Sequence, residues 1–388
     1  MGVKLLLIII TFLYFLLLGF FLLGLFFPNQ KTIAQKLTAS VVIAARNEEK
    51  NIGAILNDLV HQTYPTELYE VIIINDGSED GTGDIVESYS RQYPLVRHIS
   101  VLVDNQNGLS AKKNALNQGI QASQNELILT TDADCRVKST WLETMTSYFA
   151  QEVGMVVGFS QLGDPRKKYS LWENLQAVDF LSLMGAAQGS INFRCPLAGS
   201  GQNIAYRKKV FEQVNGFQKI KDRISGDDVL LLQLVHKLTN WKIRFAPSFA
   251  SFNWTNPEKT IKAFLNQRKR WASNGSVQLQ LNMMFFIFLS IMFLANAILF
   301  FGLPVYFLRH HSILLPIICL ASKFFIEFLI LLKAASVYHR KDLIKYFPLW
   351  VIAQMPYVIF TGLLGTFGHF KWKDRKHFQA LTTFRINR

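Results

Sequence analysis

The chain has 388 residues, half of them hydrophobic, and a formal charge of +14. The charge does not point to nucleic acid, because the basic residues gather beside apolar segments: 333–345 carries four Lys/Arg against one Asp, and 371–388 six against one. That is the asymmetry of membrane topology. Cys135, Cys195 and Cys319 are scattered, which excludes a disulfide framework or zinc-type spacing and fits a reducing compartment.

In chain order, 5–27 is an uncharged apolar run long enough for a transmembrane helix, within an N-terminal segment 1–30. A mixed-polarity block over 37–256 is large enough for one buried domain. Within it, apolar runs at 40–45, 71–74, 99–103 and 126–131 alternate with helical periodicity at 52–60, 82–92 and 109–122. Such alternation predicts an α/β fold, a mainly parallel sheet with helices on both faces. Residues 257–275 read as an amphipathic helix at the membrane surface. The region 277–370 holds about three hydrophobic segments (277–308, 312–332, 346–370), and a basic tail occupies 371–388. Lys31, Lys36 and Arg46 place the soluble block in the cytoplasm. Three further crossings would then put the basic tail outside, against the same rule. Either a late segment is re-entrant or the tail is an exception. Residues 346–370, with Pro348, Pro356 and three glycines, are the expected place for a break.

Open α/β sheets bind ligands beyond the carboxyl ends of their strands. The residues there are "RNEE" (46–49), "NDGSEDGT" (75–82), "DNQNG" (104–108) and "TDADC" (131–135). Asp, Asn and Gly are ordinary turn residues, but convergence of several such loops on one sheet edge makes a site. Asp132 and Asp134, at i and i+2 of an extended strand, would point the same way. Two hard oxygen donors suit Mg²⁺ or Mn²⁺. The absence of a GxxxxGK[ST] loop excludes a P-loop enzyme.

At this point the block resembles the catalytic domain of membrane-bound family 2 glycosyltransferases, the group of cellulose, hyaluronan and poly-N-acetylglucosamine synthases and several glycolipid synthases. The resemblance covers about 37–275 and rests on six elements in the family's order. These are Asp76 in "NDGS"; "KKNALNQGI" (112–120), similar to Lys-x-x-x-Leu-Asn-x-Gly; Asp132-x-Asp134; "GSGQNIAYRKKVFEQVNGF" (199–217); "GDDVLL" (226–231); and "QRKRW" (267–271), which fits Gln-x-x-Arg-Trp completely.

The resemblance implies a Rossmann-like GT-A fold and an integral protein of a bacterial inner or cell membrane. It also implies inverting transfer of a hexosyl or N-acetylhexosaminyl group from a nucleotide-sugar, a UDP-sugar, to a polysaccharide or lipid. It assigns donor binding to Arg46, Glu48, Asp76, Lys113, Asp132, Gln267, Arg270 and Trp271, metal binding to Asp132 and Asp134, and base catalysis to Asp228 with Asp227 beside it. Gln267 and Arg270 lie one helical turn apart and share a face, and Trp271 offers an apolar platform for a sugar ring or an interface anchor. Arg268 and Lys269 are assigned to lipid headgroups. The start of a helix over 228–238 would favour the ionised form of Asp228, whereas a paired Asp227 would oppose it; Asp227 also reads as a capping acid. Lys323 and Glu327, i and i+4 inside an apolar segment, either line a polar path or neutralise each other. A non-processive glycolipid synthase, a non-catalytic nucleotide-sugar binder and a transporter are the competing readings. A partner for export is left open.

Overall fold

The computed structural model describes residues 2–29, 31, 36–101, 108–367, 370–372 and 375–377. Most of the 104–108 loop and of the basic tail therefore lie outside the described residues.

After α1 (Gly2–Gly24), strands and helices alternate as the periodicity predicts: β1 (Ala39–Ala45), α2 (Ile52–Val60), β2 (Tyr69–Asn75), α3 (Thr82–Gln92), β3 (Val96–Ser100), α4 (Ala111–Ala122) and β4 (Leu127–Thr130). Next come β5 (Arg136–Val137), α5 (Trp141–Thr146), β6 (Val153–Gly158), β7 (Ser160–Leu162) and a long α6 (Leu171–Asn192). The chain continues through β8 (Ile204–Arg207), α7 (Lys208–Gln213), α8 (Val229–Leu238), β9 (Lys242–Ala246) and β10 (Asn253–Thr255). It ends with α9 (Ile261–Ala272), α10 (Gln278–Leu281), α11 (Met283–His310), α12 (Leu314–Val337), α13 (Phe347–Phe367) and a hairpin of β11 (Phe370–Trp372) and β12 (Arg375–His377).

Two compact units result. One comprises Pro28–Asp164 and Ile191–Asn256; the other comprises Met1–Phe27, Pro165–Ser190 and Pro257–Arg388. The first holds a seven-stranded sheet in the order β3-β2-β1-β4-β8-β6-β9. β1 pairs in parallel with β2 and β4, and β2 with β3, while β8 alone runs antiparallel, between β4 and β6. The sheet is thus mainly parallel, as expected, and mixed at β8. Val41, Val42 and Ile43 are all wholly buried, so β1 is covered on both faces. Val41 and Ile43 join Ile52, Ile55 and Leu56 of α2 and Trp141 of α5 in one core. Val42 and Ile74 point to the opposite face, where they close on Gly119 of α4. Each side chain buried this way contributes about 1.5–3 kcal/mol.

The second unit holds four helices long and apolar enough to cross a membrane: Gly2–Gly24, Met283–His310, Leu314–Val337 and Lys341–Gly365. The break expected within 346–370 does not occur. Pro348 falls at the start of α13, where a missing N–H costs little, and the helix runs on through Pro356. Residues 165–190, read from sequence as part of the soluble block, pack instead with the long helices. Small residues permit it: a Cβ on Gly24 would fall 2.1 Å from the Gly189 carbonyl oxygen, so α1 and α6 touch backbone to backbone.

Candidate active site

Strand register brings the loops together. Ala45 of β1 lies level with Asn75 of β2, and Asn75 with Ser100 of β3, so the loops after these strands leave from one edge of the sheet. The first two are stitched to each other. Arg46 Nη1 donates to the Asp76 carbonyl (3.2 Å), the Asn47 N–H to Ser78 Oγ (3.1 Å) and the Glu48 N–H to Thr82 Oγ1 (2.8 Å). Arg46 thereby props the loop that presents Asp76. The Glu48 carboxylate accepts from Asn51 Nδ2 at 2.9 Å.

Asp132 and Asp134 follow β4, but not as alternating positions of a strand. The Cys135 N–H bonds to the Asp132 carbonyl (3.1 Å), closing a turn. That turn, rather than the pleat, brings their carboxylates within 4.8 Å of each other and of Cys135 Sγ. Asp134 is exposed to solvent, yet protein atoms gather densely around it. This crowding, with the carboxylates of Asp132 and Glu48, raises its pKa to about 6. A bound cation would reverse that shift. Burial and the carboxylates of Asp134 and Asp132 push the Cys135 thiol up, so it stays protonated and is a poor third donor.

The lysine at the centre of the site is Lys112, not Lys113. Its ammonium reaches Asp132 Oδ1 at 2.9 Å and Asp227 Oδ2 at 3.0 Å, joining the turn after β4 to the acid pair before α8. Burial opposes its charge, but the two carboxylates outweigh this and raise its pKa. Lys113 is wholly buried and donates to the carbonyls of Ile220 and Arg223, and burial lowers its pKa to about 8. The structure therefore does not bring Lys113 to the carboxylates. Counted back from Leu116, the Lys-x-x-x-Leu spacing itself falls on Lys112, and that signal was present in the sequence.

The acid pair divides its roles. Although burial works against ionisation of Asp227, Lys112 holds its carboxyl below the usual range. Asp228, not Asp227, caps α8: Oδ1 accepts from the Val229 N–H (2.6 Å) and Oδ2 from the Gly201 N–H (2.9 Å). Burial and the neighbouring Asp227 nevertheless raise the Asp228 pKa against those two hydrogen bonds. The contest left open between helix terminus and paired carboxylate is thus decided for the carboxylate and burial. A Cβ at Gly201 would lie 3.0 Å from Asp228 Cβ and 3.1 Å from Oδ2, so a larger residue here would press on the Asp228 carboxylate. Chemically, the cluster offers a pair of hard oxygen donors, a cation able to meet a diphosphate, and a carboxylate tuned to accept a proton.

Gln267, Arg270 and Trp271 all lie on α9, in the helical unit. Gln267 Nε2 donates to Glu258 Oε1 (3.2 Å), and Trp271 is 38% exposed. Arg268, assigned to headgroups from sequence, is instead 3% exposed and paired with Asp179 of α6 at 2.8 Å. Nothing in the spacing of charges announced that partner, 89 positions upstream.

Residues 40–214 match the model of glycosyl transferase family 2. The chain is 31% identical over 242 residues to the probable glycosyltransferase YdaM of Bacillus subtilis, covering 60% of this chain and 54% of that protein. It is 30% identical over 271 residues to the beta-monoglucosyldiacylglycerol synthase of a Nostoc species, covering 66% and 54%. With the poly-beta-1,6-N-acetyl-D-glucosamine synthase of Staphylococcus epidermidis the identity is 27% over 243 residues, covering 61% and 54%. The chain spans about half the length of these curated relatives. Among solved structures, the mannosyltransferase PcManGT from Pyrobaculum calidifontis, in complex with GDP-Man and Mn²⁺, aligns over 94% of this chain and 98% of that one. The TM-score is 0.60 at 15% identity, a likeness of fold. The chain carries a glycosyl transferase family 2 domain, built on a GT-A-like mixed sheet.

Proposed function

We propose that the protein transfers a hexosyl or N-acetylhexosaminyl group from a nucleotide-sugar, a UDP-sugar, to a lipid acceptor at the membrane, with inversion. The observation that carries the reading is the Lys112 bridge from Asp132 to Asp227, which joins the turn after β4 to the acid pair before α8. Asp228 takes the proton of the acceptor hydroxyl. The hydroxyl oxygen forms a bond to the anomeric carbon as that carbon's bond to the diphosphate oxygen breaks, and the diphosphate leaves with the electron pair. Lys112 stands where it can share the diphosphate's negative charge. Asp132 and Asp134 fit a divalent cation by donor type and by their mutual approach. Such an ion, when bound, supplies neutralisation of the charge on the departing diphosphate. The Mn²⁺ of the PcManGT complex supports this assignment. Gln267, Arg270 and Trp271 are assigned to the diphosphate and the acceptor sugar, and Arg46, Glu48 and Asp76 to the nucleotide.

The lipid acceptor is favoured by the Lys323–Glu327 pair, whose polar groups are already partnered. Lys323 Nζ bonds Glu327 Oε1 and Gln354 Oε1 (both 2.8 Å), and the Tyr14 hydroxyl bonds Glu327. Such a closed network does not line a path for a polymer. The second reading, chain elongation, draws on the complete Gln-x-x-Arg-Trp motif and on the poly-N-acetylglucosamine synthase relatives. Purified protein incubated with Mn²⁺ and UDP-glucose, UDP-N-acetylglucosamine or GDP-mannose decides between them. One sugar on an extractable lipid supports the first reading, a ladder of long chains the second, and no diphosphate release from any donor sinks both.

A further inference from the structure

We propose that α6 is the template that sets the Gln267-x-x-Arg270-Trp271 motif, with Asp179 and Gln176 as positioning residues. The proposal rests on the reading that this motif meets the substrates.

The residues of α6 that face α9 recur at one-turn spacing: Trp172, Gln176, Asp179 and Phe180. Two relays leave this face. In the first, Gln176 exchanges two hydrogen bonds with the backbone of Glu258: its Nε2 donates to the carbonyl (2.8 Å), and its Oε1 accepts from the N–H (3.0 Å). That fixes Glu258, whose carboxylate then accepts from Gln267 Nε2 at 3.2 Å. In the second, Asp179 holds Arg268 at 2.8 Å, and the Arg268 guanidinium lies 4.1 Å from the centre of the Trp271 ring and 4.9 Å from that of Phe264. Phe180 meets Trp271 with ring centres 6.1 Å apart, and Trp172 packs edge-on against Phe264 at 4.9 Å.

The energetics fit a device rather than a chance contact. Asp179 and Arg268 are 6% and 3% exposed, so both charges have left water, at a cost that only a good partner offsets. None of the buried guanidinium nitrogens meets an acceptor in straight hydrogen-bond geometry among the described residues. Coulomb attraction and ring stacking are what hold the plane. The Tyr357 hydroxyl of α13 interacts with both Asp179 and Arg268. Trp271 thus has a planar cation against its ring and is still 38% exposed. A ring that stacks on a sugar needs both a fixed plane and accessible surface.

The test uses the full-length protein in detergent with Mn²⁺ and the three donors named above, reading diphosphate release, UDP affinity by calorimetry and thermal unfolding. Asp179→Asn and Arg268→Lys are expected to lower kcat by about tenfold to a hundredfold, the scale of a small misplacement. UDP affinity should stay within about twofold and unfolding should stay cooperative. Arg268→Lys keeps the charge but lacks the plane, so it should not rescue. In a cycle with Trp271→Ala, the double variant Asp179→Asn/Trp271→Ala should be no slower than Trp271→Ala alone. Independent, multiplying losses would mean a merely structural clasp and overturn the proposal, as would full turnover in Asp179→Asn. Full turnover in Trp271→Ala would overturn the motif reading and this inference with it. An inactive Trp271→Ala beside an active Asp179→Asn would overturn the inference alone. Should Asp179→Asn fail to fold, Gln176→Ala with Gln267→Ala makes the same cycle through the other relay.

Discussion

Asp228 and Asp227 are adjacent in the chain and bear the same carboxyl group, yet their environments separate their proton affinities. Asp228 must be ionised to act as a base, so activity is lost as pH falls through its raised pKa. The acid limb of kcat/KM is therefore expected above the ordinary aspartate value of about 4. Asp227→Asn, by removing one of the two causes that raise Asp228, should move that limb to lower pH. A limb that stays in place would detach Asp228 from the profile. Asp228→Asn should abolish transfer while UDP still binds. Lys112 and Lys113 make a second pair. Lys112→Ala should remove most turnover with little change in melting temperature. Lys113→Ala removes a buried charged donor from the carbonyls of Ile220 and Arg223, at about 1.5–3 kcal/mol for a hydrogen bond to a charged group, and should chiefly lower the melting temperature. Interchanged effects would refute the assignment. The sequence shows both lysines and the correct spacing. It does not show which ammonium meets carboxylates, because that depends on how α4 is rotated against Ile220–Arg223.

Elements in the helical unit are joined by polar groups that hydropathy cannot position. Tyr14 on α1, Lys323 and Glu327 on α12 and Gln354 on α13 form one network. Breaking a buried pair by deleting one partner costs about 3–5 kcal/mol, whereas replacing both is nearly neutral. Lys323→Met and Glu327→Gln should each lower the thermal stability of the protein in detergent, and the double variant should recover much of the loss. Equal and additive losses would show that the groups act separately. α6 is the element least legible beforehand. Its residues alternate small, apolar and polar around the whole helix, so no single face stood out, and Asp179 became meaningful only beside Arg268.

At the scale of the whole molecule, the packing of α13 on α9 bears on how the last helix meets the membrane. Apart from the buried Arg268, α9 carries Lys262, Lys269 and Arg270, a composition suited to the membrane surface rather than its interior. α13 packs along it: Tyr357 meets Phe264 with ring centres 5.4 Å apart, and Gly365 meets Ala272. The two contacts are equally spaced on both helices, so the helices run side by side in the same direction for roughly 12 Å. The C-terminal half of α13 therefore shares the level of α9, and both ends of α13 are expected on one side of the membrane. That would place the basic stretches 333–345 and 371–388 together, as charge asymmetry requires. Cysteines introduced at Asp342 and Gln379, in a chain whose own cysteines are replaced by serine, should be labelled from the same side by a membrane-impermeant maleimide. Labelling from opposite sides would make α13 a true crossing.

Local pattern alone determined the alternation of β1 to β4 with α2 to α4, the four long apolar helices and the order of the six motifs. These follow from side-chain periodicity and short-range spacing, which survive in any one stretch of chain. Only tertiary structure decided that a turn rather than a strand pairs Asp132 with Asp134, that Lys112 bridges two loops, and that Asp228 rather than Asp227 has its pKa raised. The same holds for the anchoring of Trp271 through Arg268 to Asp179. Each of these depends on groups distant in sequence being desolvated together. Burial and Coulomb attraction between such groups have no signature in either one's neighbours along the chain.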